Sequence, residues 1–231
     1  MKSLKLSLMA VAGSLALAGG AQAADRPLGL TFNVGAATDY VFRGISQTDE
    51  DPQIFAGADI SSGIFYGGVW GSNVEFGDGT DAEFDVYAGV KPVVGPVTFD
   101  LGVIYYGYVD DGNDWDYVEF KGAGSVPVGP GTIGAAVYYS PNFTGPGDIE
   151  GLYYELNGSV AIPNTKFSLS GAVGHQELSD GAVDYTTWNV GVGYAVTDNI
   201  GLDFRYIDTS KENTLGPLSG ERFVAGFKAT F

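Results

Sequence analysis

The sequence has no cysteine and a single histidine, His175. Disulfides, thiolate metal sites and cysteine nucleophiles are excluded, and a histidine-based metal site or a Ser-His-Asp triad lacks its parts. Basic residues are scarce too: 11 Lys and Arg stand against 28 Asp and Glu, a formal charge of -17. Nucleic acid is held by clustered Lys and Arg, so it is excluded as a partner. Long apolar runs are missing beyond the first two dozen residues. The longest uncharged stretch there, 122–147, is broken by Pro127, Pro130, Pro141 and Pro146, so no transmembrane helix is expected. Apolar stripes of period 3.6, a Gly-x-Ser-x-Gly elbow and a phosphate loop are also absent. Yet 45% of the residues are hydrophobic and only 17% are charged. That is too apolar for a disordered acidic chain, so negative charge and apolar surface must be segregated.

What is present starts with a leader. Lys2 and Lys5 precede a mostly apolar stretch over 6–18, and Ala21-Gln22-Ala23 fits a small-x-small cleavage site. We expect a signal peptide over 1–23, cleavage read from Ala21 and Ala23, and one mature domain over 24–231. The apolar stretch is shorter than the roughly 20 residues a spanning helix needs. Loss of Lys2 and Lys5 would take the charge from -17 to about -19.

The rest alternates with period two. Glycine (36) and aromatics (14 Tyr, 14 Phe) are abundant, as in all-β proteins with many tight turns. Twelve alternating segments can be drawn: 30–42, 53–61, 64–74, 82–92, 97–109, 116–126, 132–140, 151–162, 165–176, 185–196, 200–208 and 221–231. Only 64–74 has ambiguous faces, because Phe65 and Val69 oppose Ile64, Tyr66 and Trp70. Short links with turn chemistry (Ser61 to Gly63, Val94 to Pro96, Pro127 to Gly131, Pro163-Asn164, Thr197 to Asn199) alternate with longer ones at 43–52, 75–81, 110–115, 141–150, 177–184 and 209–220. An even strand number with short turns on one rim and long loops on the other predicts an all-β fold: a closed antiparallel transmembrane β-barrel of about 12 strands.

Alternation alone also fits a soluble sandwich. Three features favour the membrane. The segments are as long as a tilted span needs, roughly 9–11 residues. Aromatics gather near strand ends: Tyr40, Phe42, Tyr105, Tyr108, Trp115, Tyr138, Tyr139, Tyr153, Tyr154, Tyr185 and Trp188, as in interfacial girdles. The chain closes on Phe223, Phe227 and Phe231 in clean alternation. One face of each segment is apolar. The other carries Asp59, Glu83, Asp85, Lys91, Asp100, Glu119, Lys121, Glu155, Lys166, Asp203, Arg205, Arg222 and Lys228, the expected lining of a nearly neutral pore. Tyr87, Tyr106, Tyr117 and Tyr153 should point inward and could fill it.

Asp39 and Arg43 share a face with Asn33 and are placed in the lumen near the outer rim. They are read either as a constriction or loop latch, or, more simply, as an internal ion pair that stiffens the barrel. Glu83 with Asp85 could do acid–base work, but lumen charges facing Lys and Arg on neighbouring strands are the plainer reading. The acidic excess falls in the long links: Asp49-Glu50-Asp51, Asp78, Asp81, Asp110-Asp111, Asp114, Asp116, Asp148, Glu150 and 177–184. These could draw cations to the mouth, bridge to lipopolysaccharide through divalent ions, or simply be solvated. Asp110 to Asp114 could hold Ca²⁺ weakly but is no EF-hand. None of the links looks long enough to fold inward as in trimeric porins, so a monomer is expected.

The stretch 37–48, ATDYVFRGISQT, with 65–73, FYGGVWGSN, resembles the TorF-type porin family of proteobacteria. The resemblance covers essentially the mature chain and implies an outer-membrane location and a pore role. The Phe-terminated last segment resembles the assembly signal of outer-membrane proteins, which implies the barrel-assembly machinery as a partner. The expectation is then a narrow diffusion channel for small hydrophilic solutes with mild cation preference and no cofactor. A non-conducting structural or adhesive barrel is the alternative, and an enzyme is least compatible with the missing histidine chemistry.

Overall fold

The computed structural model describes residues 28–109, 114–145 and 149–231. Its strands in chain order are β1 (Gly29–Ala37), β2 (Val41–Phe42), β3 (Ile45–Ser46), β4 (Gln53–Ser62), β5 (Phe65–Asn73), β6 (Ala82–Val90), β7 (Val93–Val94) and β8 (Val97–Val109). They continue as β9 (Tyr117–Val128), β10 (Gly131–Ser140), β11 (Gly151–Ala161), β12 (Phe167–Leu178), β13 (Tyr185–Ala195), β14 (Ile200–Thr209) and β15 (Arg222–Thr230). The signal peptide with Ala21 and Ala23, and the acidic residues Asp110, Asp111 and Asp148, lie outside the described residues.

Twelve of these strands close a single antiparallel barrel, in the order β6-β5-β4-β1-β15-β14-β13-β12-β11-β10-β9-β8 with β6 paired back to β8. The seam between first and last strands is fully bonded: Asn33 faces Thr230, and Phe32 and Phe231 exchange N–H···O bonds of 3.1 and 2.9 Å. Closure matters because hydrocarbon offers no partner to an unpaired N–H or C=O. The remaining strands are minor. β7 extends the pairing of β8, and β2 with β3 forms a two-stranded hairpin inside the barrel.

Each strand has period two. Along β11, Leu156 is 62% exposed on the outside while Tyr153 is buried within. The exterior is an apolar belt that includes Leu30, Phe32, Ile54, Val86, Leu101, Ile133, Val137, Val173, Val190 and Phe204. A soluble monomer rarely exposes an apolar patch of more than a few hundred Å², so the belt calls for lipid. In β5, Phe65 and Val69 face out, and Tyr66 and Trp70 face in, which resolves the ambiguous segment. The short-turn rim uses left-handed backbone at Gly63 (φ +59°), Gly95 (+60°), Gly129 (+56°) and Asn164 (+62°). All the long connections lie on the opposite rim.

The aromatic girdle is thinner than the sequence implied. Tyr105, Tyr139, Tyr154 and Trp188 lie on the outer face, with ring pairs such as Trp188–Tyr206 at 5.1 Å and Tyr206–Phe223 at 5.0 Å. Tyr40, Tyr138, Tyr153 and Tyr185 are instead buried in the interior. The reason is parity: in Tyr138-Tyr139 and Tyr153-Tyr154 only one ring of each pair can face lipid. His175 lies on the outer side against Tyr154, with Nδ1 2.8 Å from the Thr186 hydroxyl.

The first strand also ends early. The alternation ran on to 42, but β1 stops at Ala37 and residues 38–52 turn into the barrel. The turn-in is held locally. The Asp39 carboxylate accepts from the Ser46 and Thr48 hydroxyls at 2.7 and 3.0 Å, and Gln47 N–H donates to the Tyr40 carbonyl at 2.7 Å. Arg43 (φ +47°) and Gly44 (φ +86°) close the β2–β3 hairpin.

Candidate functional site

The inward segment 38–52 touches nearly every wall of the barrel in its loop-side half. The Tyr40 hydroxyl donates to Glu83 on β6 at 2.7 Å, and its ring packs on Trp70 of β5. Phe42 packs edge-on against Tyr106 of β8. Gly44 lies against β13 and β14 so closely that a Cβ would sit 2.4 Å from the Thr187 hydroxyl and 2.5 Å from Thr209 Cγ2. Its position therefore requires glycine twice, for space and for backbone. Asp39 pairs with Arg222 of β15 at 2.9 Å, and Arg222 reaches Glu50 at 3.4 Å.

Arg43 forms the tip. Its guanidinium donates to Glu119 of β9 at 2.8 Å and to Gln176 of β12 at 3.0 Å. Four rings surround it: Tyr153 at 4.4 Å, Phe42 at 4.7 Å, Tyr138 at 5.1 Å and Phe143 at 5.6 Å. Such cation–π contacts are worth about 2 kcal/mol or more where water is excluded. Glu119 and Gln176 are at most 1% exposed. Burial, followed by the charges of Glu83 and Asp85, holds the Tyr40 phenol well above its usual range, so it acts as a neutral donor.

These contacts correct two expectations. Asp39 and Arg43 do not pair with each other: each reaches a different wall. One link, 38–52, does fold inward, contrary to the expectation that none was long enough. A third correction concerns Glu83 and Asp85. Among the described residues neither makes an ion pair, although both are buried. Asp85 Oδ1 and Glu119 Oε1 are buried without hydrogen-bond partners.

The turn-side half is different. Asp100 bridges Lys121 at 2.8 Å and Lys91 at 3.7 Å and accepts from Tyr66 at 2.7 Å. Asp59 accepts from Tyr87 at 2.6 Å, and Glu155 from Tyr153 and Asn157 at 3.0 and 2.9 Å. Arg205 grips Asp203 through two bonds of 3.1 Å and also reaches Ser170 at 2.8 Å. Lys228 has no carboxylate within ion-pair distance among the described residues. Lys166 departs from expectation. It is exposed at the short-turn rim, with Nζ on the Val196 carbonyl at 2.8 Å and 6.0 Å from the Tyr194 ring.

Solvent access grades along the axis. On β10 the inward Ser140, Tyr138 and Ala136 are buried and Thr132 is exposed. On β11 the inward Tyr153 is buried, Glu155 half-buried and Asn157 exposed. Tyr87, Tyr106, Tyr117 and Tyr153 all point inward and are buried, as expected. Sequence reasoning missed Ser46, Thr48, Gln176, Phe143 and Gly44. The run of hydroxyls around Arg43-Gly44 was the available signal for a self-bonded turn. Among the described residues no group of three or more His, Asp or Glu is placed to hold a metal ion.

Solved structures share the fold. A KdgM porin superposes with a TM-score of 0.61 at 9% identity, over 87% of this chain and 99% of that one. A NanC porin gives 0.55 at 9% identity over 87% and 98%. The COG4313 outer membrane channel from Pseudomonas putida F1 gives 0.54 at 11% identity over 89% and 96%. At such identities the likeness concerns the fold alone. No curated protein matches the sequence. A family model does match, over residues 21–231. The chain belongs to that family, Gcw_chp, described as bacterial protein of unknown function.

Proposed function

We propose that the chain is a narrow channel of the bacterial outer membrane that lets small hydrophilic solutes diffuse through its barrel. One observation carries this reading. Charged side chains inside the turn-side half, among them Asp59, Lys91, Asp100, Lys121, Glu155 and Lys228, keep partial solvent access while the outside of the same strands is apolar. An ion enclosed in a dry barrel would carry several kcal/mol of desolvation. These ions avoid it because the half they line is wet.

The other candidate lining residues narrow the path: Asp203 and Arg205 in the turn-side half, and Asp39, Arg43, Glu83, Asp85, Glu119 and Arg222 towards the loops. Mild cation preference is part of the proposal. The acidic links Asp49-Glu50-Asp51, Asp78, Asp81, Asp184 and their neighbours set a negative potential at the mouth. So is kinship with TorF-type porins, supported by the motif over 37–48. We include a monomeric barrel, contact with lipopolysaccharide, and delivery by the assembly machinery through Phe223, Phe227 and Phe231, which all face outward. No catalytic role is assigned to any residue.

A second reading, a barrel without a through-path, is favoured by one feature, the segment 38–52 lying across the loop-side half. Liposome swelling separates the two. Vesicles holding the purified protein should swell in small sugars faster than empty ones. Equal rates would support the closed barrel.

A further inference from the structure

We propose that residues 38–52 form a releasable gate latched by Arg43, and that its release uncovers a wall of three carboxylates, Glu83, Asp85 and Glu119, which selects cations. The inference rests on the channel reading and adds to it which residue sets the aperture and the sign of the filter.

The seat of the segment is polar and aromatic. Its hairpin has only two residue pairs, Val41–Ser46 and Phe42–Ile45. Its deep contacts are an ion pair, hydrogen bonds and ring faces around one guanidinium. Its apolar anchoring is local: Val41 packs with Ala37, Ile207 and Val224, Tyr40 on Trp70 and Phe42 against Tyr106. The ion pair itself adds little to hold the segment seated, because the desolvation of a buried pair offsets much of its attraction. The segment is also sprung at its far end. Asp49 (φ +53°) and Glu50 (φ +67°) are consecutive non-glycine residues with left-handed backbone, each an unfavourable conformation. They are held there by Glu50 N–H on the Ser46 hydroxyl at 2.9 Å and by the Glu50–Arg222 pair. A strained hinge, a polar latch and a glycine wedged between Thr187 and Thr209 make an element with two arrangements.

The latch socket is electrostatically unbalanced. Asp85 lies within electrostatic reach of both Glu83 and Glu119, and Arg43 pairs with Glu119 alone. Two of their oxygens, Asp85 Oδ1 and Glu119 Oε1, have no hydrogen-bond partner while the segment is seated. When Arg43 withdraws, water enters and these groups line the wall as anions, opposite tyrosines that carry no charge. The seated state is narrow, and Arg43 offsets one of its three carboxylates. The released state is wide and negative, so aperture and selectivity change together.

The absence of cysteine allows a test of seating by accessibility. Ser46 is 4% exposed while the segment is seated, so a single Ser46→Cys should react slowly with a water-soluble thiol reagent in vesicles. Adding Arg43→Ala should speed the labelling several-fold. In the chain without added cysteines, Arg43→Ala should raise conductance several-fold and move the reversal potential in a KCl gradient towards the cation limit. Glu119→Gln should also open the channel, with a smaller shift because it removes one anion from the wall. If Arg43→Ala does not fold, Gly44→Val keeps every charge and displaces the segment sterically, and should open the channel as well.

Wild-type currents that none of these variants alters would overturn the gate and leave the channel reading intact. Faster labelling of Ser46→Cys in Arg43→Ala with no current in any variant would overturn both. Larger currents without a cationic shift in Arg43→Ala would overturn the carboxylate filter.

Discussion

Replacing Leu156 with arginine tests which solvent touches the outside of the barrel. Leu156 is the middle residue of β11 and is 62% exposed, flanked across the sheet by Ala135 and Val173. If its surroundings are lipid tails, Leu156→Arg puts a guanidinium near the bilayer midplane, at a cost of about 2–4 kcal/mol. Leu152→Arg, four residues nearer the loop rim beside Tyr139 and Glu177, should cost only about 0–1 kcal/mol, because an arginine there reaches the headgroups. In a water-soluble protein both would be surface changes within about 0.5 kcal/mol. The assay is reversible unfolding from vesicles in guanidinium chloride, read as a midpoint shift at constant slope. Equal effects at the two positions, or less than about 0.5 kcal/mol at Leu156, would refute the reasoning.

Lys228→Gln should leave the unfolding midpoint within about 0.5 kcal/mol, since among the described residues the ammonium makes no ion pair, yet it should shift the reversal potential towards cations. An unchanged reversal potential would place Lys228 off the conduction path. Arg205→Met leaves Asp203 buried without its two 3.1 Å bonds; the same titration should lose about 3–5 kcal/mol, and a loss below about 1 kcal/mol would contradict the geometry. Phe231→Ala should lower the amount of folded protein reaching the outer membrane while changing vesicle stability little, because the ring is exposed; equal yields of both proteins in membrane fractions would remove the terminal phenylalanine as an assembly signal.

The barrel was readable because its signal is local. Twelve alternating segments with turn residues between them carry strand, face and rim in a few neighbouring residues each, and Leu156, Val190 and Phe204 lie outside as their parity requires. What lay beyond the sequence depends on partners far along the chain. Arg43 meets Glu119 and Gln176, 76 and 133 positions away, and Asp39 meets Arg222, 183 positions away. In the run 37–48 the alternation itself continues unchanged, and only the hydroxyls around Arg43-Gly44 mark a turn. Tyr138 differs from its expected place for another reason: it lies near a strand end, but its parity, opposite to that of Tyr139, puts it inside. Lys166 sits one residue before β12 begins, where alternation no longer fixes a face.

The most direct measurement is the ionic current carried by purified wild-type protein in a planar lipid bilayer with a KCl gradient across it. Discrete steps of small conductance, with a reversal potential on the cation side of zero, are the predicted result. A bilayer that holds the folded protein and passes no current beyond its bare leak would contradict a continuous wet path through the barrel.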